Sequence, residues 1–83
     1  MTVLYFAWIR EQVGLSEERV SPPAEVATVA QLIDWLSTRG PGYAAAFADR
    51  RRVKAARDQE HVPLDAPLAG AQEVAFFPPV TGG

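Results

Sequence analysis

The 83-residue sequence is 48% hydrophobic and 22% charged, carries a net charge of −2 at pH 7 and has no cysteine. It is long enough for one small core and too apolar for disorder. Without cysteine there are no disulfides, thiolate metal sites or cysteine nucleophiles. The charge balance argues against a nucleic-acid partner. No stretch has membrane-spanning length, and the start runs into an apolar segment without the basic region of a signal peptide. A soluble, cytoplasmic protein is expected, with no nucleic acid and no membrane as partner.

"TVLYFAWI" (2–9) is rich in β-branched and aromatic residues and reads as a first strand. Val3, Tyr5, Ala7 and Ile9 form one face; Leu4, Phe6 and Trp8 form the other. Apolar residues on both faces indicate burial on both sides, one face by helices of the same chain and the other by a partner. "REQVGL" is a short helical turn stopped by Gly14. "SEERVSPPAEV" is a weak strand in which Pro22 and Pro23 mark an edge or loop.

The main helix starts at Thr28, where Thr28-Val29-Ala30-Gln31 fits a capping box. Val29, Leu32, Ile33 and Leu36 form its apolar stripe. Arg39 in the last turn, Gly40 at a left-handed cap and Pro41 beyond are expected to end it. "YAAAFADR" is a second short helix, and Arg50-Arg51-Arg52 a solvated connection. "RVKAARDQEHVPL" is a strand, a turn near Asp58-Gln59 and a short second strand. "DAPLAGAQ" is a turn-rich connection, and "EVAFF" is the last strand. The order predicts an α+β fold with a mixed sheet on one main helix, the first and last strands adjacent at its centre.

No active site is legible. His61, the lone histidine, has no carboxylate pair or cysteine beside it and reads as a partly exposed strand residue. Glu17-Glu18 and Asp58/Glu60 read as solvated acidic pairs, and Lys54 as a strand lysine pointing to water. Trp8 and Trp35 read as core or interface residues. Gly40-Pro41-Gly42 lacks the spacing and the lysine of a phosphate loop.

The distinctive feature is "EVAFFPPVTGG" (73–83). Pro78 and Pro79 cannot extend a sheet ladder, so the last strand should end near Phe77 and an extended tail follow. At about 3.3 Å per residue the six residues from Pro78 span roughly 20 Å. The tail is expected to be mobile past Pro79 without a partner. Gly82 and Gly83 place a carboxylate with no Cβ near it, suited to a narrow channel in another protein. Activated by ATP to an acyl-adenylate, that carboxylate could accept sulfur as a thiocarboxylate.

These residues resemble the small-subunit family of molybdopterin synthase, the MoaD-like sulfur carriers of molybdenum cofactor biosynthesis, which have a ubiquitin-like β-grasp fold. The resemblance spans nearly the whole chain. It is strongest in "EVAFFPPVTGG" and in "FAWIREQVG" (6–14), with support from the "TVAQL" helix start and the "PLAG" turn. It implies one β-grasp domain over 1–83, with a body of 1–77 and a tail of 78–83. It also implies that a ubiquitin-activating-like adenylyltransferase uses ATP-Mg to adenylylate Gly83. A persulfide donor then yields the thiocarboxylate, and the tail gives its sulfur to cyclic pyranopterin monophosphate inside the large subunit. Two carriers on a dimer of large subunits form a heterotetramer in which the large subunits supply the catalytic side chains; this chain itself binds no cofactor and no metal.

By resemblance, Gly83 bears the sulfur and Gly82 gives steric clearance. Phe6, Phe77, Pro78, Pro79, Val80 and Thr81 contact the partner. His61 falls where the family more often has an apolar group. Ala71-Gln72 stands where Gly-Asp is usual, and Arg57-Asp58 where apolar-Asn is usual. Three other readings stay open: a carrier for thiamine or tRNA thiolation, a ubiquitin-like protein modifier, and an interaction module that uses the apolar sheet face alone.

Overall fold

The computed structural model describes residues 1–79. Strand β1 (Thr2–Tyr5) is followed by helix α1 (Ala7–Val13), strand β2 (Glu17–Arg19), and helices α2 (Val29–Ser37) and α3 (Pro41–Ala46). A 3₁₀ turn (Arg50–Arg52) leads to β3 (Lys54–Arg57), β4 (Glu60–Val62) and β5 (Glu73–Phe77). The sheet order is β2-β1-β5-β3-β4. β5 is central and pairs parallel with β1 and antiparallel with β3, so the first and last strands are neighbours, as their apolarity requires.

Register sorts the strand residues into two faces. Val3↔Val74 and Tyr5↔Phe76 point one way, with Ala55 opposite Phe76. These five join Ile9, the α2 stripe and Phe47 in the core. Phe76 is fully buried, its ring 5.1 Å from Phe47 and 6.4 Å from Tyr5. Helix α2 starts where expected: Thr28 accepts from the Gln31 amide and the Gln31 side chain accepts from the Thr28 amide. Its first turn is bound to the 63–68 connection, with Val29 and Ala30 amides donating to the Ala66 and Leu64 carbonyls.

The first strand is shorter than the sequence suggests. It stops at Tyr5, and Ala7, at φ 56, turns the chain into α1. Apolar residues on both parities fit a buried strand and a helix equally well, and a left-handed alanine has no sequence signature. Trp8 therefore leaves the outward set. It lies on α1 with the Arg52 guanidinium 4.8 Å from its ring centroid. Gly14, at φ 91, ends α1 as expected and donates to the Arg10 carbonyl.

The end of α2 also differs. Thr38 caps it in the right-handed region, and Gly40, with φ 157 and ψ 168, belongs to the next helix as its N-cap. Pro41 starts α3 at a position where a missing N–H costs nothing. Gly42 is required there because a Cβ would overlap the Gln12 carbonyl oxygen where α3 crosses α1.

Candidate functional site

The site is built at the end of β5. Because β1 and β5 run parallel, both leave the sheet at the same edge, and the Phe6 amide donates to the Phe76 carbonyl at 3.1 Å. The alternation that buries Tyr5 and Phe76 turns Leu4, Ala75 and Phe77 to the opposite face. Across β3, Lys54 faces Phe77 and Ala56 faces Ala75; Ala56 in turn faces His61 of β4.

None of these outward residues belongs to the core cluster. Instead Leu4, Phe6, Ala56, His61, Phe77 and Pro78 line an open, mostly apolar groove. Phe6 is 47% exposed, an unusual position for a large aromatic in a chain this small. The His61 ring lies 5.0 Å from the Phe77 ring. Phe6, Phe77 and Pro78 thus come together, and His61 joins them. Pro79 follows, half-buried and outside the strand. Val80, Thr81, Gly82 and Gly83, with the expected mobility past Pro79, lie outside the described residues.

The hairpin beside the groove is fixed by Asp58. Asp58 and Gln59 take φ 49 and 71, the geometry of a tight hairpin turn. The Asp58 Oδ1 accepts the amides of Gln72 and Glu73, both at 3.0 Å, so the turn holds the start of β5. The carboxylate of Asp58 supplies this acceptor directly.

Sequence reasoning missed one polar cluster. Glu18 is not solvated: its side chain is only 13% exposed, and Oε2 accepts the hydroxyls of Tyr5 at 2.8 Å and Tyr43 at 2.7 Å. Arg39 pairs with its other oxygen at 3.4 Å, while also lying over the Trp35 and Tyr43 rings. Burial, followed by the hydrogen bond to Glu18 and its charge, pushes both tyrosine hydroxyls above their ordinary pKa. The clue in the sequence is slight: Glu18 shares strand parity with the apolar Val20, and its partner Tyr43 is 25 residues away. The arginine run is likewise anchored. Arg50 binds Asp34 and Arg51 binds Asp49, and the hydrogen bonds from Arg51 hold the Asp49 carboxyl below its usual range.

The described residues hold no group of three or more histidine or acidic residues able to bind a metal, and no helix among them is long and apolar enough to cross a membrane. The arrangement offers a docking surface beside a chain exit. A match to the ThiS family model covers residues 3–83. The chain belongs to the ThiS family. It is 42% identical to the molybdopterin synthase sulfur carrier subunit of Escherichia coli, over 98% of this chain and 96% of that one. It is 38% identical to the human sulfur carrier subunit of the same name, over 98% and 91%. Among solved structures, the small archaeal modifier protein 1 of Haloferax volcanii superposes with a TM-score of 0.76 at 29% identity, covering 96% of this chain and 97% of that one. The mixed sheet gripping α2 is the ubiquitin-like β-grasp.

Proposed function

We infer that this chain is the sulfur-carrying small subunit of a molybdopterin synthase. One observation carries the reading. The groove at the exit of β5 gathers Phe6, Phe77 and Pro78 immediately before the Gly-Gly tail, in a chain that matches sulfur carrier subunits along nearly its whole length. The large synthase subunit is the partner that fits this face, and Pro78 and Pro79 aim the tail into it. Phe6 and Phe77 supply apolar area to that interface, and Val80 and Thr81 are further partner-binding residues.

The chemistry proposed for the tail takes place at Gly83. A ubiquitin-activating-like adenylyltransferase uses ATP-Mg to form the acyl-adenylate. A persulfide donor supplies the sulfur that displaces AMP, and the resulting thiocarboxylate transfers it to cyclic pyranopterin monophosphate. Gly82 keeps the backbone free of a Cβ beside the reacting carbon. This chain binds no cofactor and contributes no catalytic side chain; the catalytic side chains belong to the large subunit in a complex of two small and two large chains. One domain, body 1–77 with tail 78–83, is sufficient for the role.

The structural likeness to a modifier protein favours keeping a second reading, in which Gly83 ends in an isopeptide bond to lysine. Intact mass after incubation with ATP, a cognate activating enzyme and a persulfide donor separates the two. The carrier gains the difference of one oxygen replaced by one sulfur, localised to Gly83. Proven active components that give no adenylate and no sulfur gain would leave only an interaction module.

A further inference from the structure

Of the eight lysine and arginine residues only one, Lys54, is lysine. Most of the arginines are tied into the fold. Arg39, Arg50 and Arg51 are paired with Glu18, Asp34 and Asp49, Arg57 donates to the Pro67 carbonyl at 2.6 Å, and Arg52 lies over the Trp8 ring. Lys54 has no such role. It is exposed, and among the described residues it forms no ion pair.

The register fixes what surrounds it. Lys54 lies directly opposite Phe77 at the end of the β3–β5 ladder, on the uncovered face. The two share a depression with His61, Val62 and Pro63 that no acidic residue lines. The carboxylates of this face are elsewhere. Glu17, opposite Leu4 on β2, is three strands away, roughly 14 Å at about 4.8 Å per strand. Glu73 is at the other end of β5, roughly 13 Å along the strand. An unpaired ammonium therefore stands alone beside the phenylalanine where the strand ends.

A partner that covers Phe77 covers Lys54 as well. Withdrawing an ammonium from water without a counter-charge is costly, and its three N–H donors need acceptors. We propose that the large synthase subunit presents an aspartate or glutamate carboxylate to Lys54, and that this pair orients the subunit on the groove. The inference rests on the large subunit being the partner at this face, and it adds the chemistry of the contact. The apolar area of Leu4, Phe6 and Phe77 is sticky without being directional, because hydrophobic burial depends on area alone. A charge placed off-centre, on the β3 side of Phe77, supplies the direction. It also rejects any surface that brings a lysine or arginine to the same place.

The test uses the full chain bound to the large subunit from the same organism. Lys54 carries the one side-chain amine, so zero-length carbodiimide coupling on this chain reports Lys54 and the Met1 amine alone. Lys54 should couple to an aspartate or glutamate of the large subunit, located by mass mapping. Lys54→Gln should slow association about 3-fold at low salt and flatten its salt dependence, and Lys54→Glu should slow it about 10-fold. Arg50→Gln removes the same charge on the helix side and should leave the rate at the parent value. Replacing the coupled carboxylate of the large subunit by lysine should restore binding to Lys54→Glu. A stable complex in which Lys54 stays uncoupled, or couples within its own chain, would overturn the inference and leave the carrier reading standing. Parent-like association of Lys54→Glu would do the same. No complex with the large subunit, together with no sulfur gain at Gly83, would overturn both.

Discussion

Phe76 and Phe77 are adjacent and chemically identical, yet they have opposite fates. Phe76 is fully buried between Tyr5 and Phe47, while Phe77 lies half-buried beside His61 on the open groove. The same division runs along β1, where Val3 and Tyr5 are covered by the helices and Leu4 and Phe6 are not. A strand buried on one face by its own chain normally presents polar residues on the other. Here the uncovered face is apolar as well. The fold accounts for one set of side chains, and the second set has a use only when another protein is present.

That division can be broken most completely at the tail. Deleting Gly82 and Gly83 should abolish thiocarboxylate formation, read by intact mass, while the thermal midpoint stays at the parent value. Surviving sulfur transfer would place the chemistry elsewhere in the chain. The two phenylalanines provide the next test. Phe76→Ala should cost about 3–5 kcal/mol of stability, a large fraction of the roughly 5–15 kcal/mol of an ordinary domain. Phe77→Ala should leave the denaturation midpoint nearly unchanged but weaken binding to the large subunit by about 2 kcal/mol, roughly 30-fold in Kd. Equal losses of stability in the two variants would mean that the faces are not distinct.

How far the sequence announced this architecture depends on how local each signal is. The α2 start was legible because Thr28 and Gln31 make a self-contained capping box three residues apart. The Asp58-Gln59 turn and the strand ending at Phe77 were legible for the same reason, since turn residues and prolines act on their immediate neighbours. The outward side of Leu4 and Phe6 followed from the alternation of the first apolar segment. Trp8 was misassigned because the alternation stops at Ala7, whose positive φ is imposed by the packing of α1 against the core rather than by its own preference. Gly40 and Pro41 carried a correct punctuation signal but belonged to the start of α3, not the cap of α2. Glu18 was unreadable because its burial depends on Tyr43 and Arg39, brought to it only by tertiary packing.

That cluster offers a finer test of the covered face. Glu18→Ala leaves the Tyr5 and Tyr43 hydroxyls without their acceptor and should cost about 1–3 kcal/mol, measured by denaturant unfolding. The same hydroxyls predict an alkaline limit. Tyr5 has a raised pKa in the folded chain and about 10 when unfolded, so its contribution is complete below pH 10. Above that pH the unfolded chain loses the proton that the folded chain keeps, and stability should fall by about 1.4 kcal/mol per pH unit for this one group. Tyr5→Phe should flatten that slope. An unchanged slope would mean that the hydroxyl is not protected by burial and Glu18.

The smallest effect is expected where neither face is involved. Arg50 Nη2 meets Asp34 Oδ1 at 2.6 Å, joining the 3₁₀ turn to α2, but the two side chains are 37% and 66% exposed. Water screens such a pair and side-chain entropy opposes it, so a short distance gives little net stability. Asp34→Asn should therefore cost less than about 0.5 kcal/mol and leave the Kd for the large subunit at the parent value. The second measurement is the informative one. Asp34 lies on the helix side of the molecule, away from Phe6 and Phe77, so weaker binding in Asp34→Asn would mean that the partner reaches past the sheet onto α2. Docking would then have to be assigned to the covered side as well as the open one.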